Sequence, residues 1–314
     1  MTDGMASVIN NPHRFYIETP MIQGLHDKVT QWLWCGFTGG LVVGEARTGK
    51  TRAVRALQSP LLTRDQEPVS VHRVAYGLRD RQTLRDAWVK LAESIGISVS
   101  PRHTAGMLAS QIVTFLAESS LSNRDRQVVL FVDECQFLTL DQLNVFAEIY
   151  NDLSEAGING VIIFIANSIQ FEGMAKKLLK PEYSYLRERF FANAHEFFGF
   201  RKASELKSVL KQFDAKHNGT SMLDSFIDTS GQETWRLSSL TELIWDIYIE
   251  EYQKPRQITS WGMEYFYRFI KILIQDYLPH YDFRDSGNCE AMIANSLEAS
   301  GLNPTLENLT KKYR

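Results

Sequence analysis

Residues 44–51 read GEARTGKT and match the spacing G-x-x-x-x-G-K-[S/T] of a phosphate-binding loop. A short apolar run at 41–43 precedes this stretch and a helical pattern at 51–57 follows it, so the order is strand, loop, helix. A chance glycine-rich turn is the alternative, but in this order the loop N–H groups face a polyphosphate at the positive end of a helix. The predicted ATP-binding residues are Gly44, Glu45, Ala46, Arg47, Thr48, Gly49, Lys50 and Thr51.

Two acids further along the chain predict chemistry beyond binding. The apolar run VVLFV at 128–132 is followed directly by Asp133 and Glu134. A central parallel strand delivers its last residues to the carboxyl edge of a sheet. We expect Lys50 to reach the outer phosphates, Thr51 and Asp133 to bind Mg²⁺, and Glu134 to polarise the attacking water. The alternative is that the acids only cap the next helix. The motifs together predict an ATPase.

The composition is that of an ordinary globular protein. Of its 314 residues 44% are hydrophobic, which is enough for one large or two medium domains. Lys and Arg number 34 against 37 acids, a net charge of −3, so any contact with DNA must be a local patch. The three cysteines are far apart and suit a reducing compartment. Because no apolar run spans a membrane and no secretory signal is found, we expect a cytoplasmic protein without a membrane partner.

Strand and helix patterns alternate as far as about residue 200, which predicts a parallel α/β sheet. Beyond Arg201 only helical spacing of apolar residues remains. The expected fold class is α/β, a three-layer parallel-sheet nucleotide-binding domain followed by an all-helical lid. The expected domains are an arm at 1–20, the α/β domain at 21–200, the lid at 201–280 and a tail at 281–314 that would bind partners.

Polar residues beyond the second motif narrow the class of ATPase. Asn167 ends the next apolar strand, where an amide would hold the attacking water and sense the terminal phosphate. The alternative is an Asn that ends a strand at a turn. Residues 186–191 read LRERFF, and two arginines two positions apart on a helix cannot face the same way. We expect Arg189, with Arg187 as second choice, to reach the nucleotide of a neighbouring subunit.

In the helical region Arg236 ends GQETWR and starts an amphipathic helix. This placement resembles a sensor 2 position, from which an arginine returns to the γ-phosphate of its own subunit. Arg256 competes for that role. A polar residue after the second motif, an arginine beyond it and a helical lid together predict the AAA+ subclass.

The residues resemble the AAA+ regulators of DNA transposition represented by TnsC and TniB, which are related to IstB-type helpers and to initiator and helicase-loader ATPases. The resemblance covers about residues 20–260. It is carried by GEARTGKT at 44–51, DECQ at 133–136, FIANS at 164–168 and LRERF at 186–190. It implies ATP-dependent assembly into a ring or helical filament on double-stranded DNA. The assembly would link a target-selection protein to transposase subunits, and hydrolysis would control disassembly. Arg47 departs from the family as a bulky cation in a variable position of the loop.

DNA contacts are expected at two loops. Residues 72–90 carry five Lys or Arg against two Asp, which makes this stretch the best local candidate for a basic patch. Loops after Gly77 and Pro101 would let side chains reach backbone phosphates. For either loop the alternative is a solvated charged surface. The candidate DNA-contacting residues are Arg79, Arg81, Arg102, His103 and Thr104.

Two other functions share the same ATPase site. A helicase loader or replication initiator would bind a helicase instead of transposase subunits. A nucleotide-dependent signalling switch would need no DNA, but such proteins usually append sensor or repeat domains, and the sequence contains no internal repeat.

Overall fold

The computed structural model describes residues 9–11, 16–57, 61–78, 83–217, 220–226, 235–282 and 285–302. The chain divides into two compact units. The α/β unit comprises Ile22–Ala46 and Lys50–Phe197, and the helical unit comprises Met1–Met21, Arg47–Gly49 and Phe198–Arg314.

A five-stranded parallel sheet forms the centre of the α/β unit. Every neighbouring pair of strands is parallel, and the order across the sheet is β2 (Ser70–Ala75), β3 (Gln127–Asp133), β4 (Asn159–Asn167), β1 (Gly39–Gly44) and β5 (Ala194–Glu196). Strands β3 and β4, in the interior of the sheet, are buried along nearly their whole length, which explains why they read as continuous apolar runs. The predicted fold class is confirmed.

Helices flank this sheet, and three of them begin at a threonine cap. The hydroxyls of Thr83, Thr104 and Thr139 each accept a hydrogen bond from the backbone N–H three residues further on. The helices are α1 (Pro20–Trp34), α2 (Lys50–Ala56), α3 (Leu84–Ser94), α4 (Ala105–Ser120), α5 (Leu140–Glu155), α6 (Ser168–Leu178) and α7 (Ser184–Leu186), which continues as a π-helix over Arg187–Phe191.

Aromatic side chains fix the π-helix to the sheet. The Phe164 ring on β4 lies 5.3 Å from that of Phe146 and 5.4 Å from that of Phe190, between ring centroids. All three side chains are fully buried. The first phenylalanine of LRERFF therefore anchors the arginines before it, as aromatic residues do in a close-packed core.

The helical unit packs around a second aromatic cluster, in which Trp261 stacks on Tyr248 at 4.8 Å and meets Phe269 edge-on at 5.2 Å. None of the helices among the described residues has the length and apolar character needed to cross a bilayer. The elements are α8 (Ala203–Asp214), α9 (Thr241–Tyr248) with a π-helical continuation over Ile249–Gln253, α10 (Lys254–Arg256), α11 (Met263–Ile272) with a π-helical continuation over Leu273–Tyr277, and α12 (Ser286–Ala299).

Three features of the helical unit differ from the sequence-based expectation. Two short antiparallel strands, β6 (Lys216–His217) and β7 (Thr220–Ser221), interrupt a region expected to be all helical. Helix α12 lies where a tail was expected, and buries Met292, Ile293 and Leu297. In the expected arm, Ile9 is buried and its carbonyl accepts a hydrogen bond from the Tyr267 hydroxyl at 2.6 Å.

Candidate nucleotide-binding and hydrolysis site

The loop after β1 needs glycine at its start. A Cβ on Gly44 would lie 1.9 Å from the carbonyl oxygen of Phe197, which follows β5. Gly49 has a φ of +102° and Arg47 a φ of +63°, so two residues of the loop adopt left-handed backbone conformations. These conformations curve the chain between β1 and α2, as a loop that surrounds a phosphate requires.

Lys50 is the first residue of α2 and its ammonium group is bonded to the loop itself. Its Nζ donates to the carbonyl oxygens of Gly44 at 2.7 Å and Glu45 at 2.6 Å. Burial lowers the pKa of Lys50, while the carboxylates of Glu134, Asp133 and Glu45 act in the opposite direction. A phosphate that entered the loop would replace the two carbonyls as acceptor of these hydrogen bonds.

Thr51 and Asp133, the two residues expected to bind Mg²⁺, lie together. The Thr51 hydroxyl donates to Asp133 Oδ2 at 3.1 Å, and Asp133 Oδ1 accepts from the backbone N–H of Glu134 at 3.0 Å. The Asp133 side chain is only 2% exposed. A hydroxyl and a carboxylate are the oxygen donors that Mg²⁺ prefers, so these residues fit the ion.

Glu134 and Asn167 are connected through Gln136, which sequence reasoning missed as a site residue. Gln136 Nε2 donates to Glu134 Oε2, and Gln136 Oε1 accepts from the backbone N–H of Asn167 at 3.1 Å. The motif DECQ contained the signal, because it places an amide two residues after the candidate base. The site therefore has a hydrogen-bonded path from one predicted catalytic residue to the other.

The Asn167 side chain serves as the N-cap of α6, a role that the sequence analysis did not predict. Its Oδ1 accepts from the backbone N–H groups of Ile169 at 3.1 Å and Gln170 at 3.3 Å. With the oxygen fixed in this way, Nδ2 is the group left to donate, and it has no hydrogen-bond partner within the described part of the chain. The cap thus leaves an amide donor at the end of β4, and capping and sensing are compatible.

Arg73 lies against Asp133 and not on a basic surface. Its Nε and Nη2 donate to Asp133 Oδ2 at 3.2 and 2.6 Å, and its side chain is 18% exposed. The positive excess counted over residues 72–90 included this arginine, so the count overstates the charge available to DNA. Strand register gives the reason: Ala75 pairs with Asp133, and alternation puts residues 73 and 75 on the same face of β2.

Both arginines of LRERFF bond within the α/β unit. Arg189 Nη1 donates to Asn151 Oδ1 at 2.9 Å, and its guanidinium lies 4.9 Å from the centroid of the Tyr150 ring. Arg187 Nη1 donates to the Leu179 carbonyl oxygen at 3.2 Å, and Nη2 lies 3.6 Å from Glu188 Oε1. Their action on a neighbouring subunit stays a prediction.

The two sensor 2 candidates differ in how they are held. Arg256 Nη1 donates to the Leu302 carbonyl oxygen at 3.0 Å, and the guanidinium lies 5.0 Å from the Tyr252 ring centroid. Arg236 lies just before a 3₁₀ turn, and its guanidinium bonds to no residue that the structure describes. Arg236 is therefore the candidate whose charged group has no partner among the described residues.

Arg47 groups with the helical unit. Its carbonyl oxygen accepts from the Glu264 N–H at 3.2 Å, and its Nη1 donates to the Tyr265 hydroxyl at 3.3 Å. The bulky cation in the variable position of the loop thus has partners on α11.

The proposed DNA contacts are described only in part. Arg79 and Arg81 lie outside the described residues. Thr104 caps α4 with its hydroxyl, and the His103 carbonyl oxygen accepts from Arg85 Nε at 3.2 Å. Arg102 is exposed, and its guanidinium bonds to no described residue. Contact of this loop with DNA stays a prediction.

Residues 38–174 match the family model for an AAA domain, while no curated protein matches the chain. Among solved structures, the chain is similar to one from Drosophila ORC bound to DNA, at 14% identity over 86% of this chain and 65% of that one, with a TM-score of 0.38. It is also similar to Cdc6p from Pyrobaculum aerophilum, at 17% identity over 98% and 89% of the chains, with a TM-score of 0.44. A third similar chain belongs to the HORMA:CdnC:Trip13 complex of E. coli MS115-1, at 11% identity over 95% and 86%, with a TM-score of 0.46.

The chain spans 65% of the length of the Drosophila chain, less than two thirds. At these TM-scores none of the three likenesses carries an argument about function. The family match instead covers β1, the phosphate-binding loop, both acids and Asn167. Residues 38–174 of the α/β unit therefore match an AAA domain, and the sheet is parallel, as in the AAA+ fold class.

Proposed function

We propose that this chain is a Mg²⁺-dependent ATPase that binds ATP at residues 44–51 and hydrolyses it with Glu134. The observation that carries the proposal is the meeting of both motifs at one edge of the sheet, where Thr51 Oγ1 and Asp133 Oδ2 lie 3.1 Å apart. Lys50 would hold the outer phosphates. Bound Mg²⁺ would neutralise phosphate charge during the reaction. Glu134 would take a proton from the attacking water, and Asn167 Nδ2 would orient that water.

Substitution of Glu134 tests this assignment. Glu134→Gln keeps the size of the side chain but removes the base, so ATP binding should persist while turnover falls by about 10²- to 10⁴-fold. Glu155→Gln, at the exposed end of α5, is the matched control and should keep wild-type turnover. Normal turnover in Glu134→Gln, measured as phosphate release with saturating ATP, would exclude Glu134 as the base.

The second part of the proposal is that the ATPase assembles with copies of itself on double-stranded DNA. The support is the pair Arg187 and Arg189 on a segment anchored by Phe190, since an arginine supplied from a neighbour commonly completes such sites. The double variant Arg187→Ala/Arg189→Ala should bind ATP but lose DNA-stimulated turnover. The control variant Arg124→Ala should keep both ATP binding and DNA-stimulated turnover. A double variant with wild-type turnover, or a wild-type chain that stays monomeric with ATP and duplex DNA, contradicts the assembly.

The third and most specific part of the proposal is that this cytoplasmic assembly regulates transposition as a ring or helical filament. It would link a target-selection protein to transposase subunits. The support is the resemblance of DECQ and LRERF to the TnsC and TniB regulators. The test is ATP-dependent binding of DNA-bound protein to purified transposase subunits and to a replicative helicase. Binding to the helicase alone would favour a loader or initiator, and absence of any DNA-bound oligomer under electron microscopy would favour a signalling switch.

A further inference from the structure

The carboxylate proposed to bind the metal already has a cation beside it. Arg73 reaches from β2 to Asp133 and places two donors on one oxygen, Oδ2, at 2.6 and 3.2 Å. The same oxygen accepts from the Thr51 hydroxyl at 3.1 Å. Since the Asp133 side chain is 2% exposed and that of Arg73 is 18% exposed, water screens this pair little. An arginine remains protonated at any physiological pH, so the positive charge is permanent.

The acidic side chains around the phosphate-binding loop explain why the positive charge of Arg73 favours binding of an anionic ligand. The carboxylates of Glu134, Asp133 and Glu45 all act on the Lys50 ammonium. A triphosphate held by Lys50 would be repelled by the same three acids wherever they are not compensated. Arg73 compensates Asp133, which is the most buried of them.

We propose that Arg73 is a positioning residue and a permanent counter-charge for Asp133, which allows the site to bind ATP before a metal ion is present. This inference rests on the proposed ATP-binding function and adds the order of binding to it. Arg73 fixes the Asp133 carboxylate toward Thr51, and the pair together carries no net charge. Loss of Arg73 leaves a buried carboxylate without its adjacent counter-charge, which a bound metal ion would then supply, so ATP binding becomes more dependent on Mg²⁺.

A purely structural ion pair between β2 and β3 is the competing explanation. Such a pair would stabilise the sheet, and its loss would weaken ATP binding by the same factor with and without metal. The ratio of the ATP dissociation constants in EDTA and in Mg²⁺ therefore separates the two explanations. A loss of protein stability alone leaves this ratio unchanged.

The experiment measures this ratio by titration calorimetry of the full chain with ATP. In Arg73→Gln the uncompensated Asp133 carboxylate near the phosphates is neutralised in Mg²⁺ but not in EDTA. The ratio should therefore rise by about tenfold or more. Arg73→Lys keeps the charge and should stay near the wild-type ratio. Arg124→Gln removes a charge from an ion pair with Glu67 in which the arginine is 87% exposed, and serves as the matched control. A ratio within twofold of wild type in Arg73→Gln overturns the inference.

If Arg73→Gln does not fold, metal-free ATP affinities of two Asp133 variants test the same inference. Asp133→Asn leaves Arg73 uncompensated and should tighten metal-free ATP binding, and Arg73→Gln/Asp133→Asn should return it to about the wild-type value. Equal metal-free affinities in the single Asp133→Asn and the double variant would overturn the role of Arg73. If the wild-type chain itself binds no ATP with Mg²⁺, the proposed function fails, and that result is distinct from an unchanged ratio.

Discussion

At the scale of single residues, His72 is half-buried, and its buried Nε2 has no hydrogen-bond partner among the described residues. It lies on β2 with its ring centroid 5.0 Å from that of Phe115 on α4. Burial lowers the pKa of His72 below its ordinary value of 6.5. The unfolded chain therefore takes up a proton at a higher pH than the folded chain does. This favours unfolding as the pH falls below about 6.5 and has no effect at higher pH.

His72→Phe should remove this acid sensitivity, since phenylalanine keeps the ring contact and cannot be protonated. We expect the wild-type free energy of unfolding to fall between pH 7.5 and 5.5 by up to about 1.4 kcal/mol more than that of His72→Phe. Urea unfolding at the two pH values measures the difference. His280→Phe, at an exposed position, should keep the wild-type pH dependence. The same pH dependence in His72→Phe and wild type would show that His72 is not the group responsible.

Gln136 gives a second prediction at the residue scale. Its amide donates to Glu134 and accepts from the backbone of Asn167. Gln136→Ala removes these two bonds, and a third from Nε2 to Gln170 Oε1, and should lower the ATP turnover number about 10- to 100-fold, the usual range for removing a hydrogen bond to a charged group. The dissociation constant for ATP should change less than about threefold. A variant that lost binding and turnover equally would assign Gln136 to ATP binding instead.

At the scale of elements, two glycines of the α/β unit should respond oppositely to the same substitution. A Cβ on Gly44 would meet the backbone carbonyl of Phe197 at 1.9 Å, and backbone cannot move aside as a side chain does. Gly44→Ala should therefore separate β1 from the segment after β5 and reduce both stability and ATP affinity. Gly173 lies inside α6 with nothing within 4 Å of an added Cβ. Gly173→Ala should stabilise the protein by about 1 kcal/mol. Thermal unfolding of both variants measures the two changes in stability. A Gly44→Ala protein that is as stable as wild type and binds ATP would refute the steric argument.

Elements differ in how far the sequence predicts them. Strands β3 and β4 were predictable because burial on both faces leaves unbroken apolar runs. Helix α12 was missed because its apolar residues are spaced among small and polar ones and lie near the end of the chain. The π-helix at Arg187–Phe191 was predicted as ordinary helix. Its i→i+5 bonding changes where side chains point, so the orientation of its two arginines did not follow from helical spacing.

In the candidate site, too, residues that belong to local sequence motifs were predictable, whereas a contact set by strand pairing was not. Lys50, Thr51, Asp133 and Glu134 were predictable because each lies in a motif with fixed spacing. The Arg73 contact depends on β2 lying next to β3, a pairing of segments that are 60 residues apart in the chain. From composition alone Arg73 was counted as part of a basic surface, although its charge is directed at Asp133.

At the scale of the whole molecule, the net charge of −3 gives no general attraction to DNA, so any binding to duplex DNA must depend on a few positions. Among the described candidates, Arg102 is the one whose guanidinium has no partner in the described part of the chain. Arg102→Ala should weaken ATP-dependent duplex binding and lower the slope of log K against log salt by about 0.9 for each phosphate that the protein no longer neutralises. Arg124→Ala removes another exposed charge from a different loop and should leave the slope unchanged. Fluorescence anisotropy of labelled duplex between about 50 and 200 mM salt measures both. If Arg102→Ala loses affinity without any change in slope, Arg102 stabilises the assembly of subunits and does not touch the DNA backbone.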